Sequence, residues 1–149
     1  MERYPAWLLS AAGGVTFAVT QHEMIEYLTH ARCQRVPLTN PHCQYLALWR
    51  DRLVPVLDFA PLFARGKGTA QRASLSIVAY QPNPRQPLDY LGIWIDEAPS
   101  RITVSDDQAC DLPPDWCDER LQKLALSCFL HAEQPVPILN VANLACISS

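Results

Sequence analysis

Apolar and polar positions alternate in short runs along the whole chain. None repeats at helical spacing long enough for a core helix, so the pattern predicts many short strands. Strands are expected at 15–19 (entered from Gly13-Gly14), 45–49, 53–57, 75–80, 91–96, 101–104 and 124–131. The stretch 21–28 fits either period: Met24, Tyr27 and Leu28 share a helical face, whereas Met24, Glu26 and Leu28 share a strand face. Between 49 and 53, Arg50-Asp51-Arg52 reads as a tight, charged hairpin tip. The segments 36–41, 81–87 and 106–119 carry prolines and polar residues and read as loops, and 64–72 as a mobile polar connection.

One unit occurs twice. Leu53-Val54-Pro55-Val56-Leu57-Asp58 is echoed by Gln134-Pro135-Val136-Pro137-Ile138-Leu139-Asn140. Each is a Pro-bearing apolar strand ending in an Asp or Asn able to cap a brief helix, at 59–63 and 141–145. Repetition of the unit predicts two pseudo-equivalent halves. About eight strands and two short helices give an all-β architecture, a barrel or a sandwich.

Composition narrows the function. A chain of 149 residues with 49% hydrophobic content can bury one core, and thirteen prolines argue against a helical bundle. Twelve basic and fifteen acidic residues give a net charge of −3. That lacks the concentrated positive face a nucleic-acid binder needs, so a small oligonucleotide-binding barrel is the weaker alternative. No apolar run is long enough to span a bilayer, and that of residues 1–9 is too short and Pro-broken for a secretory signal; a cytoplasmic protein with no direct membrane insertion is expected.

Chemistry is sparse. The six cysteines, at 33, 43, 110, 117, 128 and 146, form no C-x-x-C pair. They are expected as free thiols rather than zinc ligands, and no cofactor is expected. Asp58 and Asp96 close strands as caps or turns, and His22, His30, His42 and His131 are scattered. Gly66-Lys67-Gly68-Thr69 lacks the upstream glycine of a phosphate-binding loop. A hydrolase or redox protein using the cysteines is the enzymatic alternative; the favoured reading is no enzyme. Trp7, Trp49, Trp94 and Trp116 are expected as packing anchors, with Trp49 beside Arg50 also placed for an interface.

In order, these pieces resemble the CheW-like domain family of bacterial chemotaxis. Met24-Ile25-Glu26-Tyr27 is similar to its V-x-E-V/I segment, and the proline-bearing loop 36–41 follows. Leu48-Trp49-Arg50-Asp51-Arg52-Leu53-Val54-Pro55-Val56-Leu57-Asp58-Phe59 resembles its N-L-R-G-(K/R)-x-V-P-V-x-D-L block. Leu91-Gly92-Ile93-Trp94-Ile95-Asp96-Glu97-Ala98 resembles G-L-x-V-D-x-V, and Pro137 to Leu144 resembles P-x-L-(D/N)-x-x-x-L. The likeness runs from about Gly14 to Ala145.

It implies two five-stranded SH3-like β-barrel subdomains around a shared core. Their halves would be roughly 14–64 and 73–145, with exchange of terminal strands left open. It also implies an adaptor between the cytoplasmic tip of a methyl-accepting chemoreceptor and the regulatory domain of a CheA-type histidine kinase, recruited to membrane-associated receptor arrays of chemotaxis or of a related pilus or twitching system; the alternative is a divergent member that binds only the kinase or another partner. Partner-binding candidates are Met24, Glu26, Leu48, Trp49, Arg50 and Asp51; for Met24, core and docking groove are equally open. Leu48 stands where the family has Asn, and Asp51 where it has Gly. A glycine there supplies a backbone angle with φ > 0 that Asp tolerates less freely, and Asp51 sets a negative charge beside Arg50.

Overall fold

The computed structural model describes residues 2–37, 39–65 and 74–147. Most of the 64–72 connection, the Gly-Lys-Gly-Thr stretch included, lies outside them. The described residues form eleven strands: β1 Arg3–Ala11, β2 Val15–Thr20, β3 Met24–Leu28, β4 Cys33–Arg35, β5 Tyr45–Trp49, β6 Arg52–Leu57, β7 Leu75–Tyr80, β8 Asp89–Trp94, β9 Ser100–Ser105, β10 Ala125–His131 and β11 Gln134–Leu139. Three short helices join them: α1 Phe59–Leu62, α2 Glu119–Gln122 and α3 Val141–Cys146.

The architecture is all-β, in two sheets. One runs β10-β11-β2-β1-β9 and the other β4-β5-β6-β8-β7-β3. With the three-residue edge strand β4 set aside, the two orders correspond position by position. At each centre two strands run parallel, β11 with β2 and β6 with β8. The strand after each central hairpin partner crosses over: β3 follows β2 but pairs with β7, and β9 follows β8 but pairs with β1. The sheets are thus tied by a reciprocal exchange.

The repeated sequence unit is a repeated structural unit. Residues Trp49↔Arg52 and His131↔Gln134 close two hairpins of two-residue loops. Both loops have positive φ throughout: 48° and 61° at Arg50 and Asp51, 50° and 66° at Ala132 and Glu133. This is the turn whose twist matches that of paired strands. Each second strand then passes a proline, Pro55 or Pro137, and its parallel ladder begins at the next residue, Val56 or Ile138. The missing N–H therefore falls where no third strand asks for it. Asp58 accepts from the Ala60 N–H at 3.0 Å and Asn140 from the Asn143 N–H at 3.1 Å, capping α1 and α3 as the sequence predicts.

Two strands escaped the sequence pattern. β1 was hidden by Pro5 and by an apolar run without alternation. Its pairing with β2 starts only at Ala6, so Pro5 has a neighbour on one side alone, β9. β4 is too short to show a period. The ambiguous stretch 21–28 resolves as strand β3, with a register shift between Met24 and Glu26. The 106–119 loop contains two single 3₁₀ turns, Asp106–Gln108 and Pro114–Trp116, before α2 begins.

One large core serves both sheets. It unites Leu9, Phe17 and Val19 from the first with Val54, Val56, Ile77, Leu91, Ile93 and Trp94 from the second, and with residues of α1 and α3. Phe17 stacks on Phe59 at 4.9 Å between centroids, and Phe63 packs on Trp116 at 4.7 Å. Trp49, Trp94 and Trp116 are buried anchors, whereas Trp7 is half-buried. At the seam the Ala12 N–H donates to the Trp94 carbonyl and the Asp96 N–H to the Ser10 carbonyl. A smaller cluster of Ala6, Ala18, Val104, Phe129 and Val136 belongs to the first sheet alone.

Candidate functional site

The β5–β6 hairpin carries Leu48, Trp49, Arg50 and Asp51 of the sequence candidates, and β3 carries Met24 and Glu26. Inward-facing Ala47 and Trp49 alternate with outward-facing Leu46 and Leu48, as the two-residue repeat of a strand requires. With Arg50 and Asp51 as the two loop residues, Leu48 must face Leu53 across the ladder. Both are exposed, Leu48 by 50% and Leu53 by 64%. Along the β4 side they line an open groove with Ala31, Arg32, Cys33, Gln34 and Leu46. The outer face of the hairpin is therefore apolar at its centre, with Arg32 and Gln34 adding polar groups along the β4 side.

At its tip Arg50 is held. Its guanidinium lies 4.5 Å from the Trp49 ring centroid and donates to Glu26 Oε1 at 2.9 Å. The Trp49 indole N–H shares that acceptor at 3.3 Å. Glu26 is on β3 and Trp49 on β5, four places apart in the sheet order. A flat sheet would hold them about 19 Å apart at the usual strand spacing of about 4.8 Å. The sheet must curl until its β3 edge returns to the β5–β6 tip.

The Arg50–Glu26 pair is solvent-exposed, with side chains 64% and 37% accessible. A pair this open is worth at most about 1 kcal/mol to folding, so its main effect is to fix where the guanidinium points. Sequence reasoning missed two neighbours. Tyr90 packs against Trp49 at 5.0 Å, and the Arg52 guanidinium lies 4.8 Å from the Tyr90 centroid. Arg52 was legible in principle, since it sits opposite Trp49 once the loop length is known. Tyr90 was not, because only sheet order brings β8 beside β6.

The six candidates thus divide. Glu26, Trp49 and Arg50 converge, and Asp51 completes their turn. Leu48 faces outward on the same hairpin. Met24 is half-buried and lies within 2.9 Å of the Ser76 hydroxyl through its sulfur. Arg50's ion pair is with Glu26 across the sheet, not with the adjacent Asp51.

Asp51 holds φ = 61°, in the left-handed region that costs Asp less than most L-residues and costs glycine nothing. Asp51→Gly is expected to raise stability by about 0.5–1 kcal/mol, seen as a thermal midpoint a few degrees higher by calorimetry. No gain would mean the side chain contributes more than its backbone costs.

Among the described residues no three His, Cys, Asp or Glu side chains stand close enough to hold a metal ion. Asp58 serves as a helix cap, and His42 bonds the Ile147 carbonyl at 2.8 Å. No helix among the described residues is long and apolar enough to cross a membrane.

The fold has known counterparts. The crystal structure of the scaffolding protein TtCheW from Thermoanaerobacter tengcongensis superposes with a TM-score of 0.69 at 16% identity, covering 93% of this chain and 90% of that one. No curated protein sequence matches the chain. The profile of the CheW-like domain matches residues 6–146, nearly the full length. By that match the chain belongs to the CheW-like domain family.

Proposed function

We propose that this chain is a non-catalytic adaptor of a chemotaxis-type signalling array, joining the cytoplasmic tip of a chemoreceptor to the regulatory domain of a CheA-type histidine kinase. Family membership supports the class of role. The observation that carries it to particular residues is the outer face of the β5–β6 hairpin. Exposed Leu48 and Leu53 form an apolar centre, and Arg50, oriented by Glu26 and Trp49, forms its charged edge. Interfaces draw their energy from such anchors and their register from such charges. Met24, on the β3 edge that closes against this hairpin, belongs to the same proposed surface.

A second reading has one observation in its favour. Arg50 is already engaged by Glu26, which suits a member that has given up the receptor and keeps the kinase alone. Calorimetric titration with a receptor-tip fragment and with the kinase regulatory domain separates the two. The adaptor reading expects binding to each and a ternary complex on size exclusion. Kinase binding alone selects the second reading, and binding to neither overturns both.

A further inference from the structure

Cysteines 110 and 128 are eighteen residues apart in sequence, and the fold sets them face to face. An isolated antiparallel bridge joins Ala109 to Phe129, which makes Cys110 and Cys128 direct cross-strand partners. The Cys110 N–H donates to the Cys128 carbonyl at 3.0 Å, and the two Sγ atoms are 3.4 Å apart. Directly opposed, hydrogen-bonded residues have Cα atoms about 5.5 Å apart, inside the roughly 4.4–6.8 Å that a disulfide spans. Both thiols are free, and their sulfurs already lie close to bonding range.

The pair is also reachable. It opens on a cleft of about 500 Å³ lined by Leu112, Pro114, Trp116, Cys117 and Gln122 as well. Within the pair the roles are unequal: Cys110 is half-exposed and Cys128 buried. Burial, reinforced by the neighbouring Cys110, pushes the Cys128 thiol up to about 12. Cys128 thus rests as a protonated thiol, and Cys110 is the one an incoming reagent meets.

We propose that Cys110 and Cys128 form a redox-active dithiol that is oxidised to a disulfide by small aliphatic disulfides, clamping the 109–118 segment onto β10. Cys110 loses its proton to solvent and its sulfur attacks one sulfur of the reagent. That forms a mixed disulfide and expels the first small thiolate, which takes up a proton. Cys128 then gives up its proton and attacks the Cys110 sulfur, forming the 110–128 bond and expelling the second small thiolate, which is protonated in turn. The protein has lost two electrons and two protons, and one small disulfide has become two thiols. The new bond closes a loop holding both 3₁₀-turn residue Trp116 and helix α2. It therefore restrains opening of a segment that packs on the core through Phe63 and Trp116.

The test is to incubate the reduced, full-length protein with oxidised glutathione and follow intact mass, a peptide map and the thermal midpoint. The expected product is lighter by two hydrogens, carries no glutathione and yields a linked 110–128 peptide. Its midpoint rises by roughly 5 °C or more and returns on reduction with dithiothreitol. Cys117→Ser, which removes the exposed thiol of the same cleft, is expected to give the same product. Cys128→Ala is expected to keep glutathione bound at Cys110, because the resolving sulfur is gone. A stable glutathione adduct on the wild-type pair, a link through Cys117, or unchanged thiols each overturns the proposal.

Discussion

Trp94→Ala is expected to lower the free energy of unfolding by about 3–5 kcal/mol. Trp94 is 1% exposed and meets Tyr45 edge-on at 6.0 Å. Its carbonyl accepts from Ala12 at the point where the two sheets join. Removing the indole leaves a cavity that neither sheet can close without shifting the other, so little of the loss is recovered by relaxation. Against a typical total of about 5–15 kcal/mol, the variant would be marginal. Urea denaturation checks this: the midpoint falls while the slope with denaturant holds. A loss below about 1 kcal/mol would mean that the shared core does not depend on this side chain.

The second large effect is on binding rather than folding. Arg50→Glu is expected to weaken capture of a partner by the hairpin face about ten- to a hundredfold, or about 1.4–2.7 kcal/mol, while the thermal midpoint moves by no more than a few degrees. The small thermal effect follows from exposure, since the Arg50–Glu26 pair contributes little to folding. The double variant Glu26→Arg with Arg50→Glu rebuilds the ion pair with reversed polarity. If the partner reads the guanidinium of Arg50 itself, affinity stays low in the double variant. If the pair serves only to shape the tip, affinity recovers. Unaltered affinity in the single variant removes Arg50 from the surface.

Much of this molecule is legible in its residues because the determinants are local. Gly13 and Gly14, at φ of 87° and 77°, mark the turn between β1 and β2. The alternation in 45–57 gives the hairpin, but the tip read as Arg50-Asp51-Arg52 is a two-residue loop with Arg52 already in β6, and that sets the register. The Pro-x-x-Asp/Asn units give the strand-to-cap-to-helix repeat, since a proline, a β-branched run and a capping side chain act within a few residues. Arg50, Asp51 and Trp49 are likewise found by their place at a hairpin tip, whereas Glu26 is marked by its apolar neighbours and the family's V-x-E segment.

What escaped depends on partners distant in sequence. β1 is a strand because β2 and β9 both need it, despite Pro5. Glu26 meets Arg50 only because the sheet curls. Cys110 finds Cys128 rather than its sequence neighbour Cys117, because an antiparallel bridge sets them opposite each other.

The sequence by itself determined the all-β class, the repeated unit with its two caps, and the apolar hairpin bearing Arg50. Those follow from side-chain period and backbone preference, which a residue carries wherever it stands. Only the tertiary structure decided the strand exchange, the Glu26–Trp49–Arg50 cluster and the facing thiols. These depend on which strand lies beside which, and that choice is made by burying one common core between both sheets, a sum over the whole chain that no local window contains.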